Sequence, residues 1–242
     1  MGKDYVLVHG AAHGAWCWDE VARGLGARGH RVVTLDLPGH GRRAAESRRA
    51  SMTAYAEAVA QAMAAAGVSR GILVGHSMGG PVITRAAELV PQRIAHLVYL
   101  AAVVLLDGER LAHAHGTHVT RESLRGMAAA RGDGTFQYPA ETARVRWMGD
   151  LSGADPALGR ALASLTPQPL RPFFEPVSLR VFPTLAIPRT YVRCLRDAAV
   201  TPPRALVYAG RLGVEPVDLD CDHDAMLSEP AKLVTLLDRI PA

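Results

Sequence analysis

The sequence predicts an α/β fold, a mostly parallel sheet covered by helices on both faces, in one domain. Three observations carry this. Short apolar runs ending in glycine-rich turns alternate with amphipathic stretches from the N-terminus to about Val104. The same alternation returns after Ile187. The 242 residues, 49% hydrophobic and 21% charged, suit one large core. Strands that alternate with helices run parallel, because each crossover returns the chain to the same edge of the sheet.

Tyr5 to Val8 is a short β-branched run that ends at His9-Gly10, the pattern of a buried strand. Trp18, Val21 and Leu25 then recur at helical spacing, and Gly29 suits the left-handed residue that closes such a helix. Arg31 to Leu35 reads as the next strand, with Asp36 to Gly41 as its turn-rich exit. Thr53 can cap a helix from Ala54 to about Ala66, with Tyr55, Val59 and Met63 on one face. Gly71 to Val74 is a third strand, Pro81 to Val90 a helix, and Ile94 to Val104 a fourth strand.

The alternation breaks from about 105 to 182, where prolines, glycines and short amphipathic stretches mix. That is too long for a bare loop, so it is expected to be a lid inserted into a core made of 1–104 and 183–242. Regularity resumes with a strand at Ile187 to Cys194, a helix at Pro202 to Leu212, a strand at Val214 to Leu219 and a last helix at Lys232 to Ile240. Ser228, Glu229 and Pro230 supply a cap, an acidic first turn and a proline start for that helix.

Composition removes several classes. No apolar run approaches the ~20 residues of a membrane span, and the N-terminus enters a strand at once, so a cytoplasmic protein without a signal peptide is expected. Three cysteines without C-x-x-C spacing argue against a disulfide framework and a structural zinc site. The net charge of +4 is almost wholly arginine. Its one cluster, Arg42-Arg43 with Arg48-Arg49, lacks the interleaved aromatics of a nucleic-acid patch and reads as a solvated loop. His113, His115 and His118 have no carboxylate or thiol partner at ligand spacing and read as loop, not metal site. No phosphate-cradling glycine motif is present, so nothing calls for a cofactor.

Gly75-His76-Ser77-Met78-Gly79 matches G-x-S-x-G, a weak signal alone. Its context makes it specific: an apolar strand precedes it and a helix follows, as a nucleophile elbow requires. A serine hydroxyl needs a base, and the base needs an orienting acid, in the chain order Ser, acid, His for this architecture. Of ten histidines only His223 follows the last strand. Asp197, three residues beyond the strand ending at Cys194, suits a loop reaching towards His223 and is the candidate acid, with Asp36, Asp107 and Asp155 as its competitors. The Met78 N–H is one oxyanion donor by position, and Ala11, in the small-residue loop after the first strand, is the other. His13 and His76 flank this site as structural hydrogen-bonding residues. Trp147 and Phe136 are candidate walls of the substrate pocket.

These motifs resemble a known family. Val6-Leu7-Val8-His9-Gly10-Ala11-Ala12-His13-Gly14-Ala15-Trp16-Cys17-Trp18 is similar to the opening of the plant methyl esterases that bind salicylate and of their hydroxynitrile lyase relatives. Gly75 to Gly80, Pro167-Gln168-Pro169-Leu170, Ile187 to Val192 and His223 to Pro230 extend the likeness over most of the chain, whose alanine- and arginine-rich composition looks bacterial. The resemblance implies an α/β-hydrolase core with a small lid, cofactor-free hydrolysis of small esters, often a homodimer, and Ser77, Asp197 and His223 as the triad. Lactone hydrolysis or a step on a polyketide-like product would use the same residues. The lyases place threonine at the position of Gly10 and lysine at that of Asp224; neither is here, which favours the esterase side. An intact triad argues against a non-catalytic binding protein. Asp224 also departs from the plant esterases, which are apolar there. A carboxylate beside His223 is expected to raise its pKa and to make the site mouth unwelcoming to anions, unless Asp224 points away and caps the next turn.

Overall fold

The computed structural model describes residues 2–114 and 121–242. In chain order the first half builds β1 (Asp4–Val8), α1 (Asp19–Ala27), β2 (Arg31–Thr34), α2 (Met52–Ala65), β3 (Gly71–His76), α3 (Gly79–Leu89) and β4 (Ile94–Leu100). After an insertion come β7 (Arg189–Cys194), α9 (Pro202–Leu212), β8 (Val217–Leu219), α10 (Ala225–Ser228) and α11 (Pro230–Asp238). The six long-sheet strands lie in the order β2-β1-β3-β4-β7-β8, all parallel.

Strand periodicity explains the two cores. Tyr5 and Leu7 of β1, with Ile72 and Val74 of β3, face one side and pack with Leu25 of α1 and Leu233 and Leu237 of α11. Val6, Val8 and Leu73 face the other and pack with Val59 and Met63 of α2 and Val82 and Ile83 of α3. The central strands β3 and β4 are buried along their whole length. Their sequences are therefore nearly continuous apolar runs rather than alternating ones. All carboxyl ends point to one edge of the sheet, where ligands of open parallel sheets bind.

The insertion has structure of its own: α4 (Leu111–Ala114), α5 (Arg121–Arg131), β5 (Thr135–Phe136), α6 (Ala140–Trp147), α7 (Pro156–Ser164), β6 (Gln168–Pro169) and α8 (Arg171–Phe174). Among the described residues it adds no strand to the main sheet; β5 and β6 pair only with each other. Its Phe136, Trp147, Leu158 and Phe173 join the core on the α2–α3 side.

Several local expectations are corrected. Ser51, not Thr53, caps α2, its hydroxyl accepting from the Ala54 N–H at 3.0 Å. β4 stops at Leu100 rather than Val104, because Ala101 turns left-handed at φ 45°. Ser228 does not cap α11; its hydroxyl donates to Asp222 Oδ1 at 2.7 Å. The arginine cluster lies on a fully unburied 3-10 stretch, Gly41–Arg49, where Arg42 meets Asp36 and Arg43 meets Glu46. Gly29 does take the left-handed conformation, at φ 82°. The three cysteines are buried and unpaired with one another as disulfides. Among the described residues no helix is long and apolar enough to cross a membrane.

Candidate active site

Ser77 sits in the turn between β3 and α3 with φ 52°, a conformation serine adopts only when its surroundings impose it. Three backbone bonds do so: Ser77 N–H donates to Leu100 O at 3.2 Å, and Ser77 O accepts from Gly80 N–H and Val103 N–H, each at 3.1 Å. The flanking glycines are steric requirements. A Cβ at Gly75 would lie 2.6 Å from Gly79 O, and one at Gly79 would lie 2.8 Å from Val8 O.

His223 follows β8 and is buried, its Nδ1 2.7 Å from Asp197 Oδ2. Asp197 follows β7, and its other oxygen accepts from Ala199 N–H at 2.6 Å and Val200 N–H at 2.8 Å. A carboxylate on Nδ1 means that Nδ1 carries the proton and Nε2 is the free base. Burial lowers the affinity of His223 for a second proton. Asp197, Asp224 and Asp222 outweigh burial, so its pKa stands above the ordinary value. His223 and Ser77 line one pocket. The competing aspartates have structural partners instead. Asp36 accepts from Ala15 N–H at 2.7 Å, Asp107 from Leu179 N–H at 2.7 Å, and Asp155 caps α7 through Ala157 N–H at 2.8 Å.

The loop carrying Ala11 is locked by groups that sequence reading passed over. His9 accepts from Leu37 N–H through Nε2 at 3.1 Å, so its Nδ1 carries the hydrogen and donates to Gly10 O at 2.8 Å. Burial above all holds the His9 pKa well below the imidazole range, which keeps that tautomer neutral. The Gly10–Ala11 peptide is planar, so pinning its carbonyl fixes the opposite direction of the Ala11 N–H. Gln168 Oε1 takes the Ala12 N–H at 2.9 Å and faces His40 Nε2 at 2.9 Å, while Thr166 N–H donates to Ala12 O at 2.8 Å. The insertion thus grips the loop from outside. Among the described residues, neither the Ala11 nor the Met78 N–H has a protein acceptor. The His9-Gly10 pair and the Pro-Gln-Pro motif were the available signals for this network.

Asp224 does not cap the next turn with its side chain. It is fully buried, with Oδ2 3.0 Å from His13 Nε2 and Oδ1 3.6 Å from His76 Nε2. His13 Nδ1 lies 2.7 Å from Ala11 O, which only accepts, so Nδ1 must donate. One further proton then lies between His13 Nε2 and Asp224. Burial pushes the Asp224 carboxyl up, but His13, His76 and His223 outweigh it and hold it below the usual carboxylate range. Asp224 lies beneath the pocket and does not line it. The expected repulsion of anions at the mouth is therefore corrected: the charge is covered and already engaged.

Asp224→Asn is expected to shift the acid limb of kcat/KM to lower pH. The limb reports the base of the free enzyme, the role expected of His223 from its place in the sequence; His223 is raised partly by this carboxylate, so removing the charge lets it deprotonate earlier. Asparagine keeps a hydrogen-bonding partner for His13 Nε2, which methionine would not. A limb that stays in place would sink this account.

His76, His223 and Asp224 bring three potential ligand atoms within 4.8 Å, the one such cluster among the described residues. One atom of each already has a protein partner: His223 Nδ1 with Asp197, His76 Nε2 with His223 O at 3.1 Å, and Asp224 Oδ2 with His13. Of the histidine run, His113 ends the exposed side of α4, and His115 and His118 lie outside the described residues.

Trp147 lines the pocket, with Tyr138 against it at 4.7 Å between ring centroids. Phe136 does not. The β5–β6 pairing turns it inward onto Tyr138 and Phe173, with centroids 5.1 and 5.4 Å away, so it is a core residue behind the wall.

A profile of the alpha/beta hydrolase family matches residues 5–236. The chain belongs to the alpha/beta hydrolase family. Within it, a carbendazim-hydrolyzing esterase of a Nocardioides species is 32% identical over 97% of this chain and 98% of its own length. A probable esterase of rice, PIR7A, is 40% identical over 112 residues; the match spans only 43% of that protein and 46% of this chain. Among solved alpha/beta hydrolases, an extracellular one from a Paenibacillus species superimposes with a TM-score of 0.88 at 27% identity, covering 97% of both chains. That enzyme is described as sharing structural and functional homology with tobacco salicylic acid binding protein 2.

Proposed function

We propose that this chain is a serine carboxylester hydrolase that cleaves small esters through an acyl-enzyme. The observation that carries the reading is the His223 Nδ1–Asp197 Oδ2 contact of 2.7 Å at a pocket shared with the left-handed Ser77. Ser77 Oγ attacks the ester carbonyl while His223 Nε2 takes its proton. The oxyanion is received by the Ala11 and Met78 N–H groups, and His223 returns the proton to the departing alcohol. Water then repeats the sequence on the acyl-serine, releasing the acid and restoring Ser77. The esterase names of the relatives support the same reaction class.

A lyase using these residues as acid and base is the second reading. Gly10 speaks against it. A Cβ there would stand 2.9 Å from both His76 Nδ1 and Ser77 Cβ, so the threonine of the lyases has no room without a shift. The test is a panel of p-nitrophenyl esters of rising acyl length, aromatic methyl esters and mandelonitrile. Turnover of short or aromatic esters without cyanide release is expected. Ser77-dependent cyanide release overturns the assignment.

A further inference from the structure

The pocket contains a cation that ester cleavage does not use. Arg146 lines it from α6, beside Thr142 one helical turn earlier and Tyr138 just ahead of the helix. The Arg146 side chain is half-buried, and its Nε is shut away from solvent without a hydrogen-bond partner. Among the described residues no carboxylate pairs with it. The acids nearest in sequence are committed elsewhere: Glu141 to Arg144 at 2.6 Å and Asp150 to Arg196 at 2.7 Å. Asp224, below the pocket, is held by His13. Much of the remaining wall is apolar, from Ala11, Trp147, Ala199 and Val200.

The buried Nε of Arg146 has no hydrogen-bond partner, and among the described residues no carboxylate meets the planar fork of the guanidinium. A substrate carboxylate would supply two parallel charge-assisted hydrogen bonds, with the Thr142 hydroxyl beside it as a further donor. Burial pushes the Tyr138 hydroxyl pKa up while Arg146 pulls it down, so the phenol stays protonated within electrostatic reach of the guanidinium.

We propose that Arg146 is a specificity residue for esters that carry a carboxylate at the end remote from the scissile bond. The assignment rests on the esterase reading above and names its substrate class, half-esters and related mono-anionic esters.

The test compares mono-p-nitrophenyl glutarate with p-nitrophenyl pentanoate, which differ at the far end of an acyl chain of equal length. Wild-type kcat/KM is expected to favour the glutarate by about tenfold or more, as a charge-assisted hydrogen bond allows. The preference collapses in Arg146→Gln, is partly kept in Arg146→Lys and reverses in Arg146→Glu. Glutarate itself raises the melting temperature of the wild type and not of Arg146→Gln, a readout independent of turnover. A wild-type ratio at or below one, or one unchanged in Arg146→Gln, overturns the proposal. Should neither ester be cleaved while glutarate still protects only through Arg146, the esterase reading fails and the anion site stands.

Discussion

Replacing Ser77 with alanine is expected to lower kcat by about 10⁶ and to abolish labelling by a fluorophosphonate, which the wild type should take up once. The loss should be chemical and not structural. Ser77 is held at φ 52° by backbone bonds to Leu100, Gly80 and Val103 that an alanine makes equally well. Alanine carries the same Cβ, so the strain of a left-handed residue is unchanged. Melting should therefore stay near the wild-type temperature. What remains is the proposed pair of oxyanion donors and the pocket; such features alone commonly leave ~10³–10⁴ over the uncatalysed reaction. Labelling at another residue, or unimpaired ester turnover in Ser77→Ala, would remove Ser77 from the mechanism.

The parts of this fold that the sequence announces are those where local pattern and tertiary environment agree. β3 and β4 lie between two helical layers, so their residues are apolar for the same reason that they are strands. Ser77 is legible because a sharp turn needs glycines on both sides, and that need is written at fixed spacing. Asp197 and His223 are legible through chain order after β7 and β8. The insertion is opaque because α4 and α8 are four-residue helices with almost no periodicity to read, fixed by packing on the core. Phe136 and Trp147 show why pocket walls are hard to assign. Both are large apolar residues of the buried core, and the β5–β6 pairing sets Phe136 behind the pocket wall while Trp147 lines it. Ser51 and Thr53 are equivalent as caps by residue type; the backbone of Ser51, extended at φ −155° and ψ 163°, makes the choice. Asp224 was conspicuous as a departure, but its partner lies 211 residues away, at His13. No local rule connects them.

Asp197→Asn is expected to lower kcat by roughly 10⁴ while leaving the fold intact, and the loop after β7 dictates how. The two oxygens of Asp197 have separate partners: Oδ2 receives His223 Nδ1–H, and Oδ1 receives the N–H groups of Ala199 and Val200. An asparagine must place its one oxygen on one side and its NH₂ on the other. Turning the NH₂ toward Ala199 and Val200 would set donor against two donors in a buried site, so the oxygen stays with the backbone and the NH₂ faces His223. His223 Nδ1 must then accept, its proton moves to Nε2, and the base that Ser77 needs is lost. Asp197→Ala removes the loop anchor as well, so it should lose similar activity and also ~1–3 kcal/mol of stability. The controls are Asp36→Asn and Asp107→Asn; Asp36 meets Ala15 N–H and Arg42, Asp107 meets Leu179 N–H, and neither meets His223. Measured kcat and melting temperatures separate these cases. A 10⁴ loss in either control, with Asp197→Asn near wild type, would move the orienting role to a different carboxylate.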